Sequence, residues 1–281
     1  DDAILKHLQF IDTNGSFTME NPENTSYLYF PLASETGLKS AVTPNLGGDA
    51  KLNQDSFLLE PVSVENLHNN RSVRNFWCAI DDGGIYSAAG TSPAQEAAKF
   101  SSDQDKSRLT AGFMWHIMER TSQTFQIAST VTSFIPYNNN VEVMHVAIRN
   151  QSEACRTITA YSAIPIYGRS ADNLRDHRHV TSLLHRIEVT ENSILVCPAM
   201  SFDERGHQRN YRTYYVSGCT GSGAAPVSFY PTVEDFIGEG GSYTHPRSIY
   251  EHREGCPAFR RFDGKEAMGA FRFGTITLSP G

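Results

Sequence analysis

Apolar and polar positions alternate with a period of two through the middle of this chain. In residues 124–135, Phe125, Ile127 and Val131 fall on one face of an extended run. In residues 141–149, Met144, Val146 and Ile148 do the same. Runs at 108–118 and 157–164 have similar composition, rich in β-branched and aromatic residues. Asn, Ser and Pro close these runs, at 136–140 and again at 150–153. The pattern predicts a meander of long antiparallel strands.

The flanking regions repeat the theme. Asn14-Gly15 separates two short apolar runs, the sequence signature of a tight hairpin. Residues 25–32 form an aromatic strand in which Tyr27 and Tyr29 straddle core and surface, and 44–48 form a loop. Strands ending at Pro61 and covering 75–80 flank a polar segment at 65–71. Asp81-Asp-Gly-Gly turns the chain into 85–88. Ser92-Pro93 followed by Gln95 predicts a capped short helix over 93–99. Further strands are expected near 182–189, 194–197 and 211–217, and 269–278 closes as a strand. So many turn-separated strands with so little helix predict an all-β fold, a large antiparallel β-sandwich with few short helices. Residues 1–281 read as a single β-sandwich domain.

At 281 residues the chain buries enough surface to need no disulfide or metal staple. A formal charge of −7 argues against a nucleic-acid partner, which wants a basic face. No apolar run approaches the length of a membrane span, so no membrane is expected. The five cysteines are scattered and never spaced C-x-x-C, so they read as free thiols; Cys155 and Cys197 sit in strand-like runs and are expected to be buried. The first residues carry no initiator Met and no signal-peptide pattern, which with free thiols suggests a cytoplasmic location. The chain reads as a piece of a longer protein. The sequons at Asn14, Asn24, Asn70 and Asn150 are turn signals first.

Chemistry is sparse. There is no G-x-S-x-G, P-loop or H-E-x-x-H, and Gly238, Gly240 and Gly241 make no dinucleotide fingerprint. Asp81/Asp82 and Glu234/Asp235 are adjacent carboxylates, which point to opposite faces of a strand and so form no facing acid–base pair. Trp77 and Trp115 lie in apolar strands, where core packing is the default over a sugar-stacking platform. The densest cluster is Arg175, His177, Arg178 and His179: on a strand, Arg175, His177 and His179 would share one face. Arg175, Arg178 and Arg186 repel a cation, so no metal is expected there. Such forked donors could contact phosphate or sugar hydroxyls, or form a solvated or interface loop with paired charges.

The order of residues resembles a known family. The block from Phe113 through Phe134-Ile-Pro and Val141-Glu-Val to Ala154-Cys-Arg-Thr-Ile-Thr159 is similar to the N-terminal super-sandwich of glycoside hydrolase family 94, the inverting phosphorylases of β-linked sugars. Glu234-Asp-Phe-Ile-Gly-Glu-Gly-Gly-Ser-Tyr-Thr-His-Pro246 resembles the family's Phe-Ile/Leu-Gly segment, and residues 269–281 its closing strand. The front end, 25–37 with 60–70, is most similar to the 1,2-β-oligoglucan phosphorylases. The resemblance implies a parent enzyme in which inorganic phosphate is the co-substrate and α-glucose 1-phosphate the product. Its general acid and phosphate-binding groups would lie on a helical-barrel catalytic domain, so no catalytic residue and no cofactor is assigned to this chain. It also implies a structural, homodimer-forming role and a β-linked glucooligosaccharide substrate for the parent. The rival readings are a stand-alone lectin-like carbohydrate-binding sandwich and a domain of an exported polysaccharide-processing enzyme.

Overall fold

The computed structural model describes residues 8–25, 28–63, 66, 73–203 and 205–281, with the side chains of Arg175 and Asp203 outside that description. The architecture is organised around a sheet that is buried on both faces. Its strands run in the order Ser228–Thr232, Ala267–Arg272, Arg156–Pro165, Asn75–Ile80 and Ile85–Ser87, and Ile276–Leu278 pairs with the other end of Arg156–Pro165. Along Arg156–Pro165, Ile158 and Ala160 point to one face and Tyr161 and Ala163 to the other, and all four are buried. Asn75–Ile80 behaves likewise: Trp77 and Ala79 enter one cluster, Cys78 and Ile80 another. A strand apolar on both sides belongs at the centre of a layered fold.

Two sheets share the first face. A six-stranded sheet holds the hairpin Leu8–Phe10 and Phe17–Glu20, then Lys106–Gly112, Trp115–Ser122, Ile127–Phe134 and Val143–Asn150. Its Met19, Leu109, Met118, Ile127 and Val131 pack on Cys78, Ile80 and Ile158. A four-stranded sheet, ordered Tyr214–Ser217, Ser193–Val196, Arg186–Val189 and Arg261–Asp263, sets Ile187, Ile194 and Val216 against Ala160 and Phe271. Short helices Val233–Ile237 and Arg247–Tyr250 cover the opposite face, bringing Phe236 and Ile249 onto Trp77, Tyr161 and Tyr230. Each large apolar side chain so buried contributes roughly 2–3 kcal/mol of transfer free energy. The all-β sandwich expected from the pattern is the observed fold. A further four-stranded sheet, Phe30–Ala33, Lys39–Val42, Ala50–Asn53 and Ser56–Leu59, adds Leu32 and Val42 to the first cluster.

Several expectations are corrected. The meander covers four strands; the fifth, Arg156–Pro165, leaves for the central sheet because both of its faces are apolar. The closing run is two strands, since a one-residue register slip over 273–275 separates the Tyr161–Arg272 pairing from the Ile158–Ile276 pairing. Trp115 is half-buried on the outer face, lying across Gly112, where an added Cβ would stand 2.5 Å from its ring. Cys155 and Cys197 are exposed, because each sits in the connection just outside its strand. Residues 182–184 form a 3-10 turn, so that strand starts only at Arg186. The capped helix forms as Pro93–Ala97, with Ser92 accepting from the Gln95 amide. Ser26, Tyr27 and all of the polar segment at 65–71 except Asn66 lie outside the described residues. Among the described residues no helix is long and apolar enough to cross a membrane.

Candidate functional site

The Arg/His cluster lies on short helical turns, so the shared face that a strand would have given it does not form. The Ser170 hydroxyl accepts from the Asp172 amide and the Asn173 amide donates to Asp176 at 2.9 Å, bonds that favour a turn over an extended ladder. A 3-10 turn therefore spans Ala171–Arg175, His177 precedes the single helical turn Arg178–Thr181, and the common face for Arg175, His177 and His179 is lost. The two exposed imidazoles meet instead with ring centres 5.4 Å apart. Arg175 closes the 3-10 turn, and its side chain is outside the described set.

Arg178, its side chain still about half exposed, ion-pairs with Glu60 and, at 3.4 Å, with Glu266. Burial opposes its charge, but the two carboxylates outweigh that and hold the guanidinium more firmly protonated than usual. Glu266 is shared. Arg169 grips it with both terminal nitrogens, at 3.0 and 2.6 Å, while lying over the Tyr167 ring. The result is a Glu60–Arg178–Glu266–Arg169 chain of alternating charge. It ties the 171–181 connector to the central sheet, because Glu266 immediately precedes the strand Ala267–Arg272. Arg186 faces elsewhere and donates to the carbonyls of Leu183 and His185.

His185 sits behind this chain, fully buried. Burial first, and the neighbouring Arg169 charge second, push its pKa down to about 3, so the ring is neutral. Neither ring nitrogen achieves hydrogen-bond geometry, although the carbonyls of Lys265 and Gly168 lie close by. The adjacent cavity, between Arg169, Asn173, His185 and Phe202, has a volume of about 10 Å³. That is the size of one water at most, too small for a sugar or a phosphate.

Beyond Glu266 the surface opens into a much larger cleft of about 1010 Å³, bounded by the helix Val233–Ile237 and residues 253–262. Three glycines shape it. Gly238, at φ 69, ends the helix and carries Glu239 to the rim. At Gly241 a Cβ would fall 1.9 Å from the Ile237 carbonyl, and at Gly255 one would fall 2.3 Å from that of Phe229. Only glycine allows these approaches. Cys256 on the wall is half-buried; burial, then the Asp235 charge, push its thiol up to about 11, so it is no nucleophile at neutral pH. The cleft offers carboxylates, guanidiniums and apolar wall, which suit binding.

The adjacent carboxylates are accounted for. Asp81 and Asp82 clamp Arg156 at 3.1 and 2.5 Å, and Asp82 also accepts from Gly84 in the turn. Glu234 pairs with Lys265 at 2.9 Å on the first turn of its helix. Sequence reasoning missed Glu60, Arg169 and Glu266, which pair across long separations. It missed the cleft too, although the glycines at 238–241 and 255 were its visible signal.

The family model for the glycosyl hydrolase 94 supersandwich domain matches residues 52–266. A comparison with curated proteins gives no match. The matched span includes most of the central sheet, the ion-pair chain as far as Glu266 and most of the cleft. This chain belongs to the glycosyl hydrolase 94 supersandwich family.

Proposed function

We propose that the chain is the non-catalytic N-terminal sandwich of an inverting β-glucan phosphorylase acting on β-1,2-linked glucooligosaccharides. The observation that carries this reading is the family match over residues 52–266. The β-1,2 preference rests on the likeness of residues 25–37 and 60–70 to the 1,2-β-oligoglucan phosphorylases. In this reading inorganic phosphate attacks the sugar on a helical barrel of the same enzyme, and a barrel Asp protonates the leaving oxygen. The sandwich supports that barrel and contributes to a homodimer. The five free cysteines suit a cytoplasmic enzyme.

The segment 172–186 faces a subunit or domain interface in this reading, with exposed His177 and His179 reaching toward the sugar site. Its Arg178–Glu266 pairing fixes the segment to the sheet below. The substrate assignment is tested by offering the full-length enzyme sophorose-type, laminari- and cello-oligosaccharides with phosphate. Faster glucose 1-phosphate release from the β-1,2 series is expected, and a preference for another linkage would overturn it. Replacing Arg175, His177 and His179 by Ala in that enzyme should raise the dimer dissociation constant or the KM for oligosaccharide. Loss of thermal stability alone would mark a purely structural loop.

A further inference from the structure

The cleft beside Glu266 has no part in the ion-pair chain apart from that one shared residue, and its charged lining divides in two. Glu234 is held by Lys265, Glu254 by Arg272 at 2.6 Å, and Arg253 by Glu251. Asp235, Glu239 and Arg260 have side chains with no hydrogen bond or ion pair among the described residues, and all three line this one cleft. Asp235 is placed by the helix whose cap is Thr232, and Glu239 by the glycine turn. Arg260 stands on the opposite wall, close enough to Cys256 for both it and Asp235 to act on the thiol. Two acceptors and one donor, all three solvent-exposed, therefore line one open space.

The chemistry of that space selects its guest. Carboxylates outnumber guanidiniums five to two along the lining, so phosphate and other anions are repelled. Half-buried Val233, Ile237 and Phe262 give an apolar wall suited to the C–H face of a pyranose ring. The volume of about 1010 Å³ is at the upper end of ligand pockets. The tight contact of Gly255 with Phe229, and the bond from the Tyr230 hydroxyl to the Arg253 carbonyl at 2.6 Å, fix the wall before any ligand arrives.

We propose that this cleft is a saccharide-binding site for a neutral mono- or short oligosaccharide, whose hydroxyls donate to Asp235 and Glu239 and accept from Arg260. It relies on the proposed function only for the choice of glucose-based probes. The probes are sophorose, cellobiose and inorganic phosphate, titrated into the protein by calorimetry and followed by ligand-observed NMR. A disaccharide should bind while phosphate does not. The pair Asp235→Asn with Arg260→Gln should weaken that binding by about tenfold or more, the loss expected when hydrogen bonds to charged groups are removed. Glu239→Gln, on the rim loop, gives an independent readout should the first variant fold poorly; it should weaken binding in the same direction. No disaccharide binding to the wild-type protein, binding unchanged in both variants, or a preference for phosphate would each overturn the proposal. Phosphorolysis by the full-length enzyme stands or falls separately, so failure at the cleft is distinguishable from failure of the functional reading.

Discussion

Acidification from pH 8 to pH 5 should strip this domain of a large part of its stability, and two histidines account for it. His116 is buried against Phe30 and near Arg74, and His185 is buried behind Arg169. Burial, reinforced by the nearby arginine in each case, lowers their pKa values from 6.5 to about 4 and about 3. Both are therefore neutral in the fold at pH 5, whereas the unfolded chain protonates them. The unfolded state binds more protons below pH 6.5, so stability is complete above that pH and falls as the pH drops toward the folded values. At pH 5, 1.5 units below the unfolded value of 6.5, each costs about 2 kcal/mol, or about 4 kcal/mol together. Against a typical domain stability of roughly 5–15 kcal/mol this is a large loss. Urea unfolding at pH 8, 7, 6 and 5 measures it; the Asp49 carboxyl, pushed up by burial, works in the opposite direction as the pH falls. His185→Gln in parallel should flatten the slope by about half. A stability constant from pH 8 to 5 would refute the buried, neutral placement of these rings.

Other consequences follow from the same packing. Glu266→Gln leaves Arg169 buried without its counter-charge and should cost about 2–4 kcal/mol in urea unfolding, at the lower end for a buried pair because Glu266 keeps partial solvent contact; a loss below 0.5 kcal/mol would mean that the pair is not formed. Thiol titration of the native protein should find Cys155, Cys197 and Cys219 quickly, Cys256 slowly and Cys78 last, since Cys78 is fully buried with its thiol pushed up to about 12. All five should react after denaturation without reductant, and a count of one or three would mean disulfides instead.

The sandwich was legible in the sequence because it rests on local periodicity. Ile127 and Val131 alternate with solvent-side residues, whereas residues 76–80 are apolar without a break, so one-face and two-face burial left different signatures. What failed did so where tertiary context decides. Cys155 and Cys197 miss burial by a residue or two at strand ends, and a strand boundary is not encoded that finely. Arg175, His177 and His179 alternate like a strand, yet Ser170 and Asn173 impose turns through side-chain bonds that a two-residue period cannot reveal. Glu266 was invisible as the partner of Arg169 because 97 residues separate them. The cleft wrote itself into the sequence only as glycines whose need becomes plain when the Ile237 and Phe229 carbonyls are seen against them.

In the proposed function this supersandwich supports phosphorolysis without performing it. The most direct measurement is glucose 1-phosphate release from sophorose-type oligosaccharides and phosphate, by the purified 281-residue chain and by the full-length enzyme side by side. Background rates are expected for the chain and turnover for the enzyme. Turnover by the chain alone, or none by the full-length enzyme with any β-linked glucan, would contradict it.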